Sequence, residues 1–435
     1  MSSLDTFVAP AADLPGPDWL RRRRRDAADR VRAAGLPSSE EEVWRYSPID
    51  DLDLDAYAPA PPTAPTAPTA QQPVAHLDGR DGAGLLATEP AATVTIVDGV
   101  VAGIDVAERW KAAGLVVGRA ADLDDGAALL GAAVGEHWEV ITALNDAVAP
   151  DPIVVRVPRG VSVDAPVLVR HHVATAGCAA VPRLVVHVGE SAAVAVVEHT
   201  TSAPGKALVV PLTEVVVEQA GRVAHVAVQE LGPETWQLGS LIARVEREAT
   251  FSSTTAGLGG GYARLRTDCR LTGRGATGVL DAVYFGEEDQ TLDFRTFQDH
   301  AAPDTTSDLL YKGAVAGRSR SIYTGLIRVR PEGRGTNAVQ TNRNIKLSDG
   351  AWAESVPNLE IETNDVRCAH ASAVGPIDEE QRFYLESRGV PPAMAERLIV
   401  SGFFDEVLAR LAVPAIAASL RARIAAKLDR QGIGT

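Results

Sequence analysis

The chain has 435 residues, 46% of them apolar and only 5% aromatic, and its 57 acidic and 42 basic side chains leave a net charge of −15. That length exceeds one ordinary globular core and suits two or three units or one elongated solenoid. The acidic balance argues against nucleic acid or an anionic membrane as main partner, since both select a basic surface.

The apolar content is mostly Ala and Val, which suits thin, repeated packing more than one large core. Cys178, Cys269 and Cys368 are few, odd in number and far apart, so no disulfide framework is implied and a reducing compartment fits. The opening "MSSLDTFVAP" lacks a basic-then-apolar leader pattern, and no apolar run is long enough to span a bilayer, so a cytoplasmic location is expected.

In chain order, residues 1–57 read as an N-terminal helical domain. "PGPDWLRRRRRDAADRVRAAGLP" has Asp18 as a start and Gly35 and Pro37 as a stop. Its run Arg21–Arg25 reads as the solvated face of a helix. "PSSEEEVWRYSPID" predicts a second helix capped at Ser38 or Ser39. Residues 58–75, rich in Pro, Ala and Thr, read as a stiff, extended linker.

Residues 76–375 read as a β core. "ATVTIVDGVVAGID" predicts a hairpin turning at Asp98-Gly99. Strand–turn–strand units follow, centred on Gly189, Gly221, Ala249, Gly275, Gly317 and Gly350, at spacings of 32, 28, 26, 42 and 33 residues. An imperfect period of about 30 without intervening helices points to a β-solenoid, whose coils bury their inner faces only by stacking. In "VAHVAVQE" Val223, His225 and Ala227 share one face and Ala224, Val226 and Val228 the other; both are small and mostly apolar, so the outer face is expected to meet another sheet or domain. "GLGGGYARL" reads as a flexible turn.

Residues 376–435 read as a C-terminal helical domain. Asp378 and Gln381 pair as a cap, Gly389 ends that helix and Pro391-Pro392 begins the next. The last helix carries Ile416, Leu420, Ile424 and Leu428 as a narrow apolar stripe, either packed on the solenoid or open to a partner.

No phosphate-binding loop, G-x-S-x-G, H-E-x-x-H or C-x-x-C is present, so ATP binding by this chain is not expected. The remaining chemistry is Cys368 with His370. Two residues apart on a strand they share a face, and both suit iron–sulfur or zinc. The alternative is a buried Cys beside a satisfied His. Two ligands fall short of the about four a cluster takes, and Cys178 and Cys269 lie coils away. A cluster there needs ligands from a second chain.

The segment "PNLEIETNDVRCAHASAVGPIDEEQRFYLESRG" resembles the C-terminal signature of the SufB/SufD family, the scaffold of the SUF iron–sulfur assembly system. "EEVWRYSPI" and "ALNDAVAPDPIVVRVPRG" agree with it. "RCAHASA" is nearer to SufD than to SufB, with Ala371-Ser372-Ala373 in place of the family's common Gly-Ala-Thr.

The resemblance implies a right-handed parallel β-helix flanked by helical domains. It implies a non-catalytic scaffold subunit that pairs with SufB through the β-helix. SufC, the ATPase that binds the nucleotide, would dock on the C-terminal helices, and a homodimer is left open where SufB is absent. A transient iron–sulfur cluster would form at the SufB–SufD interface, with His370 as ligand and Cys368 as accessory thiol. Three other readings remain: a SufB-like scaffold, an interaction subunit with no metal ligand, and a carbohydrate-acting β-helix enzyme using Glu287, Glu288 and Asp289.

Overall fold

The computed structural model describes residues 3–59, 84–86, 88–135 and 139–433. Most of the expected linker at 58–75 lies outside them; its start, Ala58–Pro59, pairs with Cys178–Ala180 as a short parallel strand.

Val- and Ile-rich strands stack into a parallel β-solenoid of about eight coils, with helices toward both ends. Each coil gives one strand to each of two facing sheets, which contain twelve and ten strands among the described residues. The registers show the repeat directly: Val223, Phe251, Gly278, Ser307, Ala338 and Cys368 form one continuous row across six coils. The predicted hairpin opens the second sheet, with Asp98 at φ 51° and Gly99 at φ 86° in its turn.

The uneven 42-residue spacing has a simple origin. The turns at Gly189, Gly221, Ala249 and Gly275 lie on one edge of the solenoid, where the chain passes from the twelve-stranded sheet to the ten-stranded one. Gly317 and Gly350 lie on the opposite edge. The step from Gly275 to Gly317 therefore spans about one and a half coils, and sequence periodicity alone does not separate two alternating kinds of turn.

The lumen is lined by Val, Leu, Ile and Ala in the first coils and takes in tyrosines, asparagines and glutamines toward the C-terminal end. The Gly-rich stretch is a packed corner, not a flexible turn. A Cβ at Gly259 or Gly261 would run into the backbone at Leu231 or Pro233, so the absence of side chains there permits close approach of neighbouring coils.

The N-terminal layer corrects two expectations. The arginine run is not simply solvated, because Arg24 is fully buried and donates to the carbonyls of Leu14, Pro15, Ala149 and Pro150, tying the helix Asp18–Ala34 to the end of Val140–Val148. Arg23 reaches Asp146 at 2.6 Å. The predicted second helix is only short 3-10 turns, Glu42–Trp44 and Ile49–Asp51. Between Pro37 and Pro48 there is too little chain to repay helix nucleation, and tertiary contacts win. Trp44 is buried beneath the Arg264 guanidinium, 3.7 Å from its ring, and Ser47 Oγ meets Tyr262 Oη at 2.6 Å.

At the other end, Asp378 caps the helix Glu379–Ser387, accepting from the N–H groups of Glu380 and Gln381. The stripe Ile416, Leu420, Ile424 and Leu428 is buried against the outer face of the ten-stranded sheet, where it joins Val226, Val228, Val283 and Phe285. Packing, not a free groove, accounts for it. Glu287 of the "FGEEDQTLDF" turn holds this layer down, accepting from Lys427 and Arg430 at 3.0 Å each. Asp289 pairs with Arg318. Glu287 and Asp289 are thus both engaged in ion pairs.

Asp281 lies under the same helical layer with Arg410 Nη2 3.3 Å away. Burial pushes its carboxyl up to about 7, Arg410 opposing and Asp308 adding to the rise. The folded state therefore holds this proton more tightly than the unfolded chain, and stability falls as pH rises from about 4 to about 7. Asp281→Asn is expected to raise unfolding stability at pH 8 by on the order of 1–3 kcal/mol and to leave it nearly unchanged at pH 4. Urea titrations of both proteins at the two pH values check this.

Candidate functional site

The two strands that finish the solenoid are Trp352–Ile361 and Val366–Pro376. Each pairs on one side only, with Arg320–Val329 and Thr336–Lys346 respectively, so each leaves its other edge without a strand partner among the described residues. In any inner coil, lumen-facing side chains are sealed by the next coil; here nothing among the described residues stacks on top. Residues that share a register row share a face. Leu359 and Ile361 follow Ile327 and Val329, Val374 follows Asn344, and all three belong to the lumen face yet are 36%, 41% and 40% exposed.

Cys368 and His370 belong to this rim. Cys368 follows Ala338 and is half-buried against the small cluster of Ile327, Val329 and Ala338. Burial pushes its thiol up, offset in part by a backbone hydrogen bond from Ala338. His370 follows the buried Gln340 and is exposed. The strand thus brings the two predicted residues to one face at the open end. Cys178 and Cys269 are not brought there. Both are buried in earlier coils, with thiols pushed up to about 12 chiefly by that burial. Among the described residues no three His, Cys, Asp or Glu side chains gather to hold a metal. Cys368 and His370 therefore supply at most part of a coordination shell.

Two features of this end escaped sequence reasoning. The apolar rim of Leu359, Ile361 and Val374 reads in sequence as ordinary core; its only signal is that the repeat stops after Pro376. The second is a patch on the C-terminal helices, where Phe383 and Tyr384 are 72% and 58% exposed and Met394 and Leu398 nearly half exposed. These four large apolar side chains stand exposed on two helices that pack together, and exposure of that kind marks interaction surfaces where it is contiguous.

A separate polar cluster sits sealed in the lumen several coils earlier. Glu198 accepts from His171, His225 and Thr213 at 3.0, 2.9 and 2.7 Å. Burial pushes the Glu198 carboxyl up, and the two imidazoles outweigh it, leaving it well below the usual range. The adjoining cavity of about 50 Å³ has room for a few waters, and the cluster reads as an internal brace.

The chain is thus a parallel β-solenoid whose last described coil carries Cys368 and His370 on its lumen face, with exposed apolar side chains on the helices that follow. The comparisons with known proteins agree. Residues 171–403 match the model described as "SUF system FeS cluster assembly, SufBD core domain", and the chain belongs to this family.

It is 41% identical over 224 residues to an iron–sulfur cluster assembly SufBD family protein of Mycobacterium tuberculosis, covering 50% of this chain and 56% of that one. It is 32% identical over 181 residues to SufD of Escherichia coli (42% of this chain, 43% of that one). It is 25% identical over 284 residues to SufB of Bacillus subtilis (62% and 60%). The chain thus spans about half the length of the first of these relatives. No helix among the described residues is long and apolar enough to cross a membrane.

Proposed function

We propose that the chain is a SufD-like, non-catalytic scaffold subunit of iron–sulfur cluster assembly. A SufB-type sister would stack on the open end of its solenoid. The nascent cluster, iron and sulfide being the cargo, would form where the two meet. His370 would be the ligand from this side and Cys368 an accessory thiol. A SufC-type ATPase would dock on the C-terminal helices, with Phe383, Tyr384, Met394 and Leu398 as its landing patch. It would bring the nucleotide site that this sequence lacks. The observation that carries the reading is the open terminal coil: lumen-facing His370 and Cys368 are left available because nothing among the described residues stacks above them.

The test is co-expression with candidate SufB and SufC subunits, then anaerobic iron and sulfide analysis of the purified complex. His370→Ala is expected to leave complex assembly intact and to lower cluster yield on the order of tenfold, the scale on which metal sites respond to lost ligand support. Normal assembly with undiminished yield would leave a pure interaction subunit. The 25% identity to SufB over 62% of the chain favours a SufB-like subunit as the second reading. That reading predicts no pairing with SufB there, and pairing when a SufD subunit is co-expressed in its place.

A further inference from the structure

Gln340 occupies an odd position for an amide. It is fully buried one coil below the open end, and neither Oε1 nor Nε2 has a hydrogen-bond partner among the described residues. Its side chain crosses the lumen toward the opposite sheet. A Cβ at Gly325 would overlap the Gln340 amide and the Tyr323 hydroxyl, so the glycine is what makes room for it. Neighbouring polar groups satisfy one another: Asn342 Nδ2 donates to Tyr284 Oη at 2.8 Å, Asn344 Nδ2 to Asn342 Oδ1 at 2.9 Å, and Thr296 Oγ1 lies 2.9 Å from Tyr323 Oη. Gln340 stands outside this network. The coils before it put Leu280 and Leu309 at the same place in the row, so a leucine-sized apolar side chain suits the site.

An unpartnered buried amide is costly to the fold, and a nonpolar residue of similar size would be the more stable choice. The row continues from Gln340 directly to His370 on the same lumen face. Strands in a sheet are about 4.8 Å apart, a separation that an amide and an imidazole can bridge by a modest rotation. Imidazoles that bind metal are commonly fixed through their second nitrogen, whose N–H is held by a carbonyl or carboxylate that sets the tautomer and aims the other nitrogen outward.

We propose that Gln340 is a positioning residue for His370: its Oε1 accepts the N–H of one imidazole nitrogen and leaves the other, unprotonated, facing the open rim. The role as ligand support rests on the function proposed above; the contact itself does not.

The test uses Gln340→Met, which keeps the length and removes the amide, and Gln340→Glu, which keeps an acceptor. The ratio of His370 tautomers is read by ¹⁵N NMR on the histidine-labelled full chain. One tautomer dominates in the wild type and in Gln340→Glu, and in Gln340→Met the ratio shifts to that of a freely exposed histidine. Gln340→Met also melts about 1–3 °C higher, because the buried Nε2, left without a partner even when Oε1 accepts from His370, is gone. In the complex reconstituted with iron and sulfide, its cluster yield drops severalfold while Gln340→Glu stays within twofold of wild type.

A residue that only shapes the core would give the opposite pattern, lower melting with undiminished yield, and that result overturns the proposal. So does a tautomer ratio unchanged by Gln340→Met. If His370→Ala has no effect on yield, the ligand reading falls, and the tautomer ratio still decides the contact.

Discussion

Replacing Arg183 by Met is expected to lower the unfolding free energy by about 3–5 kcal/mol, enough to threaten folding of a marginally stable chain. Arg183 is 1% exposed on the outer face of the twelve-stranded sheet, roofed by the N-terminal helical layer. Its Nε donates to Glu214 Oε1 at 3.0 Å, its Nη2 to the same oxygen at 2.5 Å, and its Nη1 to Asp146. Glu214 is fully buried and also accepts from the N–H groups of Gly131 and Ala133. Burial pushes the Asp146 carboxyl up, but Arg183 and Arg23 outweigh it and hold the group below its usual range.

Taking away one cation leaves Glu214 with no countercharge in a dry site, while Asp146 keeps Arg23. The penalty is that of an uncompensated buried charge, which exceeds the net worth of the pair. Guanidinium unfolding followed by circular dichroism measures it. Arg183→Met with Glu214→Leu removes both charges and should recover most of the loss, whereas a cost arising from packing alone would persist in the double variant.

Gly313→Ala is the second large effect, about 3 kcal/mol or more from one added methyl group. The lumen near this coil carries a ladder of rings, with Tyr284 and Phe294 centroids 4.6 Å apart, Phe294 and Tyr311 5.9 Å, and Tyr311 and Tyr323 5.5 Å. Gly313 faces the Tyr284 ring, and a Cβ there would overlap it. The ring has no easy retreat, because its hydroxyl donates to Asn344 Oδ1 and accepts from Asn342 Nδ2, both at 2.8 Å. Either the hydrogen bonds break or the coils separate. Thermal unfolding should fall accordingly, and Tyr284→Ala in the same chain should relieve part of the clash at the cost of a cavity.

How far sequence alone reached can be read from particular residues. The solenoid was legible because stacking forces a repeat: every coil must return a strand and its turn to the same place, and that constraint is local and periodic. The hairpin at Asp98-Gly99 and the cap at Asp378 were legible for the same reason, since each is fixed by a few adjacent residues. Arg24 within the otherwise largely exposed arginine run, and the segment around Trp44, were misread. Their conformation is set by Arg24 finding four carbonyls and by Trp44 finding Arg264, partners distant in sequence. The pairing of Cys368 with His370 on one face followed from strand geometry, but their availability did not.

By itself, then, the order of residues determined the coil repeat, the capped helices and that Cys368 and His370 share one strand face, because each depends on short-range periodicity and local hydrogen bonding. Only the tertiary structure decided that those two residues stand on the last coil, with nothing among the described residues stacked above it, that the C-terminal stripe is buried, and that Gln340 lies unsatisfied beneath His370. Those outcomes depend on which coil ends the stack and what lies across the lumen, and long-range packing of that kind leaves no local imprint on the chain.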